Sequence, residues 1–493
     1  MRLTLLISAI LVTLPGRSTL SAQTPPTGFQ EKTDAIRASV TPGEVAENIT
    51  SAFDPTQTYA VYLPAAYQPE KTWPALFLMD PRGRARVPLD RFVPVADRFG
   101  YVLVSSYNTA SDVDEDPNTP AVRAMLTDMS YTFSLDRKRF YLSGFSGTAR
   151  VACVLAAELQ QFVAGIIGFG GGPPSVYELP KKTGYLFYGS AGLTDFNYDE
   201  MRALVGELDD HEITHRFDFF EGGHQWGPSE VCTRAVEWLE IQAMKSGLRE
   251  KDDGIVADIY AQRVSQADNA EDLFDAFLEY QAVVEDFAGL VDGTTLDEIF
   301  AKIRELEKRD EVRDTRKLEE RLAKRHRKYQ EEYARFFRRL NTDERQWMLR
   351  AIIRELDLSD LKKQAVDESE PRKARAAQRI LETVYVDAAF YFPRRYLEEG
   401  EPSHAVTMLQ VADYIRPGVF RNFLYLARAY AQKADTAKAI ESLQKAHEIR
   451  PLDPDLLTED TYLDPIREEP EFEELLQSLN DPRSSASFPP IRD

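Results

Sequence analysis

The chain has 493 residues, about three times the length of a typical domain, which predicts two or three domains. Hydrophobic residues make up 43% and aromatic residues 11%, enough to build real cores, so wholesale disorder is excluded. The 60 basic and 81 acidic residues give a net charge of −21, which argues against a nucleic-acid-binding protein that neutralises phosphates. Two cysteines, Cys153 and Cys232, are too few for a disulfide scaffold or a Cys-rich zinc site.

The first 22 residues have the features of a secretory signal peptide. A basic residue, Arg2, precedes an apolar run over residues 3–14, and the small residues Ser21 and Ala22 offer a cleavage site before Gln23. The alternative is an uncleaved anchor, but this run is shorter than the roughly 20 residues that cross a bilayer. We therefore expect an exported protein, periplasmic or secreted, with no membrane span in the mature chain.

The first half of the chain alternates short apolar runs with longer amphipathic ones. Strands are predicted at residues 59–63, 75–79, 101–105, 139–143, 163–169, 184–188 and 214–219, and helices at 89–98, 120–133, 146–159, 198–208 and 228–244. Several of these strands are apolar on both faces, which is typical of a parallel sheet covered by helices on both sides. The pattern predicts a three-layer α/β domain over residues 40–246.

The second half is helical, because no proline occurs between Pro228 and Pro371 and no glycine between Gly293 and Gly400. Residues 250–385 form a charged helical region, in which 15 basic and 9 acidic residues fall within 301–340. This stretch is either a solvated helix with i,i+4 ion pairs or a docking face, and the first reading is favoured.

A repeat follows in residues 386–480. The sequence Ile-Arg-Pro at 415–417 recurs at 449–451, a shift of 34 residues that is the period of tetratricopeptide (TPR) repeats. We expect two TPR-like repeats with a capping helix over residues 463–479. A protein partner could bind there, but a purely structural cap or a dimer surface is an equal alternative.

The segment with the clearest chemical signal is Gly144-Phe-Ser146-Gly147, which joins an apolar strand to a helix without a break. A strand–turn–helix around Gly-x-Ser-x is the context of a nucleophile elbow, where the turn demands small neighbours. Thr148 departs from the usual pattern, which has glycine at that position. On this segment alone, a serine that simply caps the helix is an equal alternative.

The partners of such a serine follow in the required order. His224 lies just past the last strand, behind Gly222 and Gly223, and is the candidate base. Asp195 is the first carboxylate after the preceding strand and is the candidate acid, with Asp199 as its alternative. The serine, the aspartate and the histidine each follow a predicted strand in the required order. Together they predict the triad Ser146, Asp195 and His224.

The remaining site residues are weaker candidates. The oxyanion hole would use the N–H groups of Gly147 and Arg82, since Pro81 has none. Asp80, Tyr107, Asn108 and Trp226 are speculative substrate-binding residues. No metal site and no cofactor are expected, since the chain has no P-loop, dinucleotide fingerprint or His-Glu-x-x-His motif.

A resemblance to a known family rests on residues 59–64, 80–83, 144–147, Asp195 and 223–224. Through these residues the region 40–246 resembles the α/β-hydrolase superfamily, nearest to its secreted esterase and polyhydroxybutyrate-depolymerase-like branch. The resemblance covers somewhat under half of the chain. It implies an α/β-hydrolase domain followed by an all-α, TPR-like domain, and a serine hydrolase that cleaves small-molecule or polymeric esters. A serine peptidase with the same triad and an interaction module with a vestigial hydrolase domain remain alternatives.

Overall fold

The computed structural model of the protein describes residues 27–159, 161–174, 185–340 and 347–479. The signal peptide predicted at residues 1–22 lies outside these ranges. The chain divides into two compact units between Ala323 and Lys324.

The first unit is built on one eight-stranded sheet. Its strands are β1 (Val45–Thr50), β2 (Thr58–Tyr62), β3 (Trp73–Met79), β4 (Val102–Ser106), β5 (Leu135–Phe145), β6 (Val163–Phe169), β7 (Leu186–Gly192) and β8 (His215–Phe220). They lie in the order β1-β2-β4-β3-β5-β6-β7-β8. Only β2 runs antiparallel to its neighbours, and β3 to β8 are mutually parallel. The carboxyl ends of β5, β6, β7 and β8 therefore meet at one edge of the sheet.

Helices cover both faces of this sheet. They are α1 (Phe29–Ser39), α2 (Arg86–Phe99), α3 (Asn118–Thr132), α4 (Gly147–Glu158), α5 (Tyr198–Asp210) and α6 (Ser229–Lys245). One apolar core joins the sheet to α1, α3, α4 and α5, and a second joins its other face to α2 and α6. This confirms the predicted three-layer domain, and the strand order and directions are those of the α/β-hydrolase fold.

Two elements of the first unit escaped the sequence analysis. Strand β1 is an edge strand with a mostly exposed pattern, so it carries no apolar alternation. Helix α1 packs Phe29, Thr33 and Ile36 against the core, but it lies before the predicted domain start at residue 40. Cys153 and Cys232 are buried, unpaired, and belong to the cores on opposite faces of the sheet. Burial raises the pKa of the Cys153 thiol to about 12.

Three further helices in the first unit pack on the end of α6. They are α7 (Asp253–Asp268), α8 (Leu273–Phe287) and α9 (Gly293–Glu307). Ile241 and Met244 of α6 share one apolar cluster with these helices. The indole N–H of Trp238 donates to Asp286 of α8 at 2.9 Å. The sequence pattern assigned these three helices to a separate charged region, residues 250–385. Their apolar cluster is instead shared with α6 of the α/β domain.

A buried ion cluster connects the same helices to the last strand. Asp218 of β8 is bonded by Arg234 of α6 at 2.7 Å and by Arg216 at 3.3 Å, and Arg263 of α7 lies 3.7 Å away. Although burial opposes ionisation, these three guanidinium groups hold the pKa of Asp218 well below its usual range. Arg216 also reaches Glu279 of α8 at 3.1 Å.

Helix α10 (Asp310–Leu340) contains the boundary between the two units and is the charged stretch seen in the sequence. Exposed pairs at i,i+3 or i,i+4 spacing, such as Lys317–Asp314 and Lys328–Glu332, lie along it. This agrees with the reading as a solvated helix.

The second unit continues with helices only, within the described residues. They are α11 (Leu349–Glu355), α12 (Leu358–Ala365), α13 (Pro371–Val386), a π-helical turn (Asp387–Tyr391), α14 (Phe392–Glu398), α15 (Pro402–Ile415), α16 (Phe420–Gln432), α17 (Thr436–Ile449), α18 (Pro454–Glu459), a 3-10 helix (Thr461–Ile466) and α19 (Pro470–Leu479). Most charged residues of this unit face solvent, although Arg379 is buried, and alanine, leucine and aromatic side chains fill its interior.

The 34-residue repeat coincides with helix boundaries, since α15 and α17 begin and end 34 residues apart. The matched pairs Ala405/Ala439, Leu409/Leu443 and Ala412/Ala446 are all fully buried. The capping helix predicted at 463–479 is wrong in its extent. A 3-10 helix ends at Ile466 and α19 starts afresh at Pro470, because a proline disfavours helical conformation in the residue before it.

Within the described parts of the chain, no helix combines the length and the apolar character needed to cross a bilayer.

The packing of α7 to α9 predicts where the first unit can be cut. A chain of residues 27–246 loses Asp286 and Glu279 and uncovers Ile241 and Met244, so we expect it to be insoluble or to unfold at a markedly lower urea concentration than a chain of residues 27–323. Soluble yield and urea unfolding followed by tryptophan fluorescence measure this. Equal unfolding midpoints for the two chains would show that the α7–α9 layer is dispensable.

Candidate active site

Ser146 occupies a strained turn between β5 and α4. Its backbone has φ 55° and ψ −123°, a conformation that non-glycine residues rarely adopt. The turn is held because the Ser146 N–H donates to the carbonyl of Phe169, at the end of β6, at 2.8 Å. The strain is therefore stabilised by the neighbouring strand, as a nucleophile elbow requires.

The small residues around Ser146 are required by contact distances. A Cβ on Gly144 would lie 2.5 Å from the carbonyl carbon and oxygen of Thr148. A Cβ on Gly147 would lie 2.4 Å from the Cβ of Ser111, which belongs to the loop after β4. Both glycines thus serve the close packing of the first turn of α4, and the sequence pattern selected them for that reason.

His224 lies in the loop between β8 and α6, with its ring directed to Ser146. Its Nε2 is 2.8 Å from the Ser146 Oγ, and its Nδ1 is 2.9 Å and 3.0 Å from the two carboxylate oxygens of Asp195. The rings of Phe145 and Phe196 lie near the imidazole, with centroids at 4.5 Å and 4.2 Å. An imidazole held in this way can remove the proton of the serine hydroxyl.

Asp195 follows β7 and is fully buried. Besides His224, its carboxylate accepts the backbone N–H of Asn197 at 2.8 Å, and the Asn197 amide donates to the carbonyl of Gly170 at 2.7 Å. The acid is therefore fixed to the end of β6 as well as to its own loop. The alternative acid, Asp199, lies instead in the first turn of α5.

Gly170, which directly follows β6, contributes to the site through its backbone. It has φ 56°, and a Cβ there would lie 3.0 Å from Asp195 Oδ2 and 3.2 Å from the His224 ring. A Cβ on Gly171 would lie 2.6 Å from the carbonyl oxygen of Ser146. Gly170 and Gly171 therefore let the backbone pass directly against Ser146, Asp195 and His224.

Phe196 and Asn197 were missed as site residues. Their only sequence signal is that they follow Asp195 directly. The ring of Phe196 restricts the imidazole, and Asn197 restricts the carboxylate. Both contacts hold His224 and Asp195 in one orientation.

Of the two oxyanion donors predicted, Gly147 and Arg82, the second is not supported by the geometry. The backbone N–H of Arg82 donates to Asp80 Oδ1 at 2.9 Å, the short turn that an aspartate forms with the residue two places on. A donor engaged in this way is not available to a developing oxyanion. Gly147 is the first residue of α4, where backbone N–H groups have no acceptor within the helix.

Asp80 and Trp226 lie behind the site and do not line a substrate pocket. Both are buried, and the indole N–H donates to Asp80 Oδ2 at 2.8 Å. Burial raises the pKa of Asp80, but hydrogen bonds from Arg84, Trp226 and Arg82 hold it below its usual range. The pair ties the loop after β3 to the loop that carries His224, which corrects the predicted substrate-binding role.

Tyr107 and Asn108 are hydrogen-bonded to the first two strands of the sheet. The Tyr107 hydroxyl donates to Glu47 of β1 at 3.0 Å, and Asn108 Oδ1 accepts the N–H of Thr58 at 2.6 Å. These bonds fix the edge of the sheet at β1 and β2. The contact of these two residues with substrate stays a prediction.

Among the described residues, no group of three or more His, Cys, Asp or Glu side chains is arranged to hold a metal ion.

Comparison with known proteins gives likeness in structure only, because no family model and no curated protein matches the chain. S-formylglutathione hydrolase (FrmB) from Staphylococcus aureus is 13% identical over 40% of this chain and 98% of its own, with a TM-score of 0.33. A ferulic acid esterase is 14% identical over 40% and 96%, with a TM-score of 0.33. The Bacillus cereus carboxylesterase is 18% identical over 37% and 93%, with a TM-score of 0.28. At such identities and TM-scores the likeness carries no argument about activity.

The close approach at Gly144 predicts a specific cost of adding one methyl group. Gly144→Ala should lower the free energy of unfolding by about 1–3 kcal/mol, because the new Cβ meets main-chain atoms that cannot move aside. The matched control is Gly206→Ala in α5, where a Cβ meets nothing within 4 Å, and it should stabilise by about 0.4–1 kcal/mol. Denaturant unfolding of both variants measures the difference, and equal effects would argue against the tight turn.

Proposed function

We propose that the protein is a serine hydrolase that cleaves carboxylic esters through an acyl-enzyme. The single observation that carries the proposal is the continuous hydrogen-bonded chain from Ser146 Oγ through the His224 ring to the buried carboxylate of Asp195. Each member follows a different one of the parallel strands β5, β7 and β8. A serine, a histidine and a carboxylate in this arrangement are the minimum that an activated hydroxyl needs.

In the proposed mechanism the Ser146 Oγ attacks the ester carbonyl carbon while His224 Nε2 takes the hydroxyl proton. Asp195 accepts the Nδ1–H, which selects the tautomer with Nε2 free and stabilises the imidazolium that forms. The tetrahedral intermediate collapses, the C–O bond to the alcohol breaks, and the alcohol leaves with the proton from Nε2. Water then attacks the acyl-enzyme with His224 again as base, releasing the acid and restoring Ser146.

Charge on the carbonyl oxygen builds up near the start of α4 in this scheme. The N–H of Gly147 is the proposed donor to it, since the first N–H groups of a helix are unsatisfied and lie at the positive end of the helix dipole. The strained conformation of Ser146 supports this role, because it places the nucleophile and the first N–H of α4 at one turn.

The ester class rests on the sequence resemblance to the secreted esterase branch, and the same triad could cleave an amide. Export to the periplasm or beyond rests on the sequence of residues 1–22. The helical second unit is proposed to carry TPR-like repeats that offer a surface to a protein partner, and the equal spacing of α15 and α17 supports this.

The proposal predicts that a fluorophosphonate probe labels Ser146 in the chain that starts at Gln23. Ser146→Ala should abolish labelling, and His224→Ala and Asp195→Asn should slow it by on the order of 10³–10⁴-fold, because the serine loses its base or the base loses its tautomer. Rates of labelling followed by peptide mass spectrometry give the site and the size of the effect.

The matched control is His211→Ala, which changes a histidine that follows α5 and lies outside the site. This variant should be labelled at the rate of the unchanged chain.

The rates of hydrolysis of an ester, p-nitrophenyl butyrate, and of the matching amide, butyryl p-nitroanilide, then separate an esterase from a peptidase. A folded protein that is not labelled would favour the vestigial domain.

A further inference from the structure

The sheet loses a hydrogen-bonding position where β5 turns into the elbow. Strands β3 and β5 pair in register as far as Met79 and Gly144. Beyond that pair, β5 must turn at Ser146, while β3 enters the loop that starts at Asp80. The carbonyl of Met79 and the N–H of Phe145 lie at this point, and buried main-chain groups cost free energy when they have no partner.

The hydroxyl of Thr148 occupies this position. It donates to the carbonyl of Met79 at 2.6 Å and accepts the N–H of Phe145 at 3.1 Å. Its Oγ1 also lies 2.9 Å from the carbonyl of Phe145. The side chain is fully buried, so water does not compete for these bonds. A glycine, which is usual at this position, has no atom that could make the same bridge.

The bridge joins two residues that directly precede parts of the candidate site. Phe145 directly precedes the nucleophile Ser146 and packs on the His224 ring. Met79 directly precedes Asp80, which holds the loop after β3 and the loop of His224. The Thr148 hydroxyl therefore links the elbow to the end of β3, whose following residue Asp80 is tied to the loop of His224.

We propose that Thr148 is a positioning residue, whose hydroxyl sets the distance between the elbow of Ser146 and Gly147 and the end of β3. The inference rests on the proposed hydrolase function and deepens it. Because the bridge acts on the placement of the Ser146 hydroxyl and of the Gly147 N–H, its loss should reduce stabilisation of the transition state more than binding of the substrate. A hydroxyl that merely stabilised the fold would change the unfolding temperature and leave kcat alone.

The test compares three variants of the chain that starts at Gln23. Thr148→Val keeps the shape and loses the hydroxyl, Thr148→Ala removes the bulk of the side chain as well, and Thr148→Ser keeps the hydroxyl. The measurements are kcat and KM on p-nitrophenyl butyrate well below the unfolding temperature, the pH profile of kcat/KM, and the rate of fluorophosphonate labelling. Thr148→Ala serves if Thr148→Val does not fold.

We expect kcat to fall about tenfold or more in Thr148→Val and Thr148→Ala, with KM within twofold and the pH profile unchanged in shape, because the triad itself is intact. Thr148→Ser should stay within about threefold of the unchanged chain. Unchanged kcat in Thr148→Val or Thr148→Ala, or a loss in Thr148→Ser as large as in Thr148→Val, would overturn the inference while leaving the proposed function standing. If the unchanged chain neither hydrolyses the ester nor is labelled at Ser146, the proposed function fails and this inference fails with it.

Discussion

The arrangement of the candidate site depends on one constraint, the left-handed backbone at Ser146. A serine with φ 55° costs free energy, so its surroundings must over-determine it. They do so from the neighbouring strand β6 and from within the turn itself. The carbonyl of Phe169 on β6 accepts the serine N–H, and the close contact of Gly144 with Thr148 leaves space for only one path of the chain. The hydroxyl of Ser146 is consequently presented at the sheet edge where β7 and β8 also end.

The sequence located Ser146, Asp195 and His224 because a parallel sheet converts chain order into spatial order. Each residue directly follows a strand, and the carboxyl ends of parallel strands meet at one edge. The residues around them could not be placed by the same rule. Tyr107 and Asn108 also follow a strand, but β4 lies next to the antiparallel β2, and their side chains bond to β1 and to the start of β2 instead. A residue that directly follows a parallel strand must lie at the carboxyl edge of the sheet. The direction in which its side chain points is not determined by that position.

Arg82 illustrates a second limit of sequence patterns. The sequence predicts Arg82 as a donor in the loop after β3, because Pro81 has no N–H. The aspartate at position 80 changes that loop, because its carboxylate takes the Arg82 N–H and the Trp226 indole N–H together. The bond between Asp80 and the Arg82 N–H joins near neighbours in the sequence, whereas the bond between Asp80 and Trp226 joins residues 146 positions apart. The first contact can be recognised from the local sequence, and the second cannot.

The boundary of the α/β domain follows from the buried charges. Gly247 and Gly254 interrupt the chain after α6, and the sequence pattern predicts that the α/β domain ends at residue 246. Yet Asp218 on β8 needs the guanidinium groups of α6 and α7, and Arg216 beside it needs a carboxylate of α8. Leaving such charges buried without partners would cost several kcal/mol. Since β8 leads directly into the loop of His224, the helices after α6 support the strand that carries the candidate base, and the break at Gly247 is a turn within one folded unit.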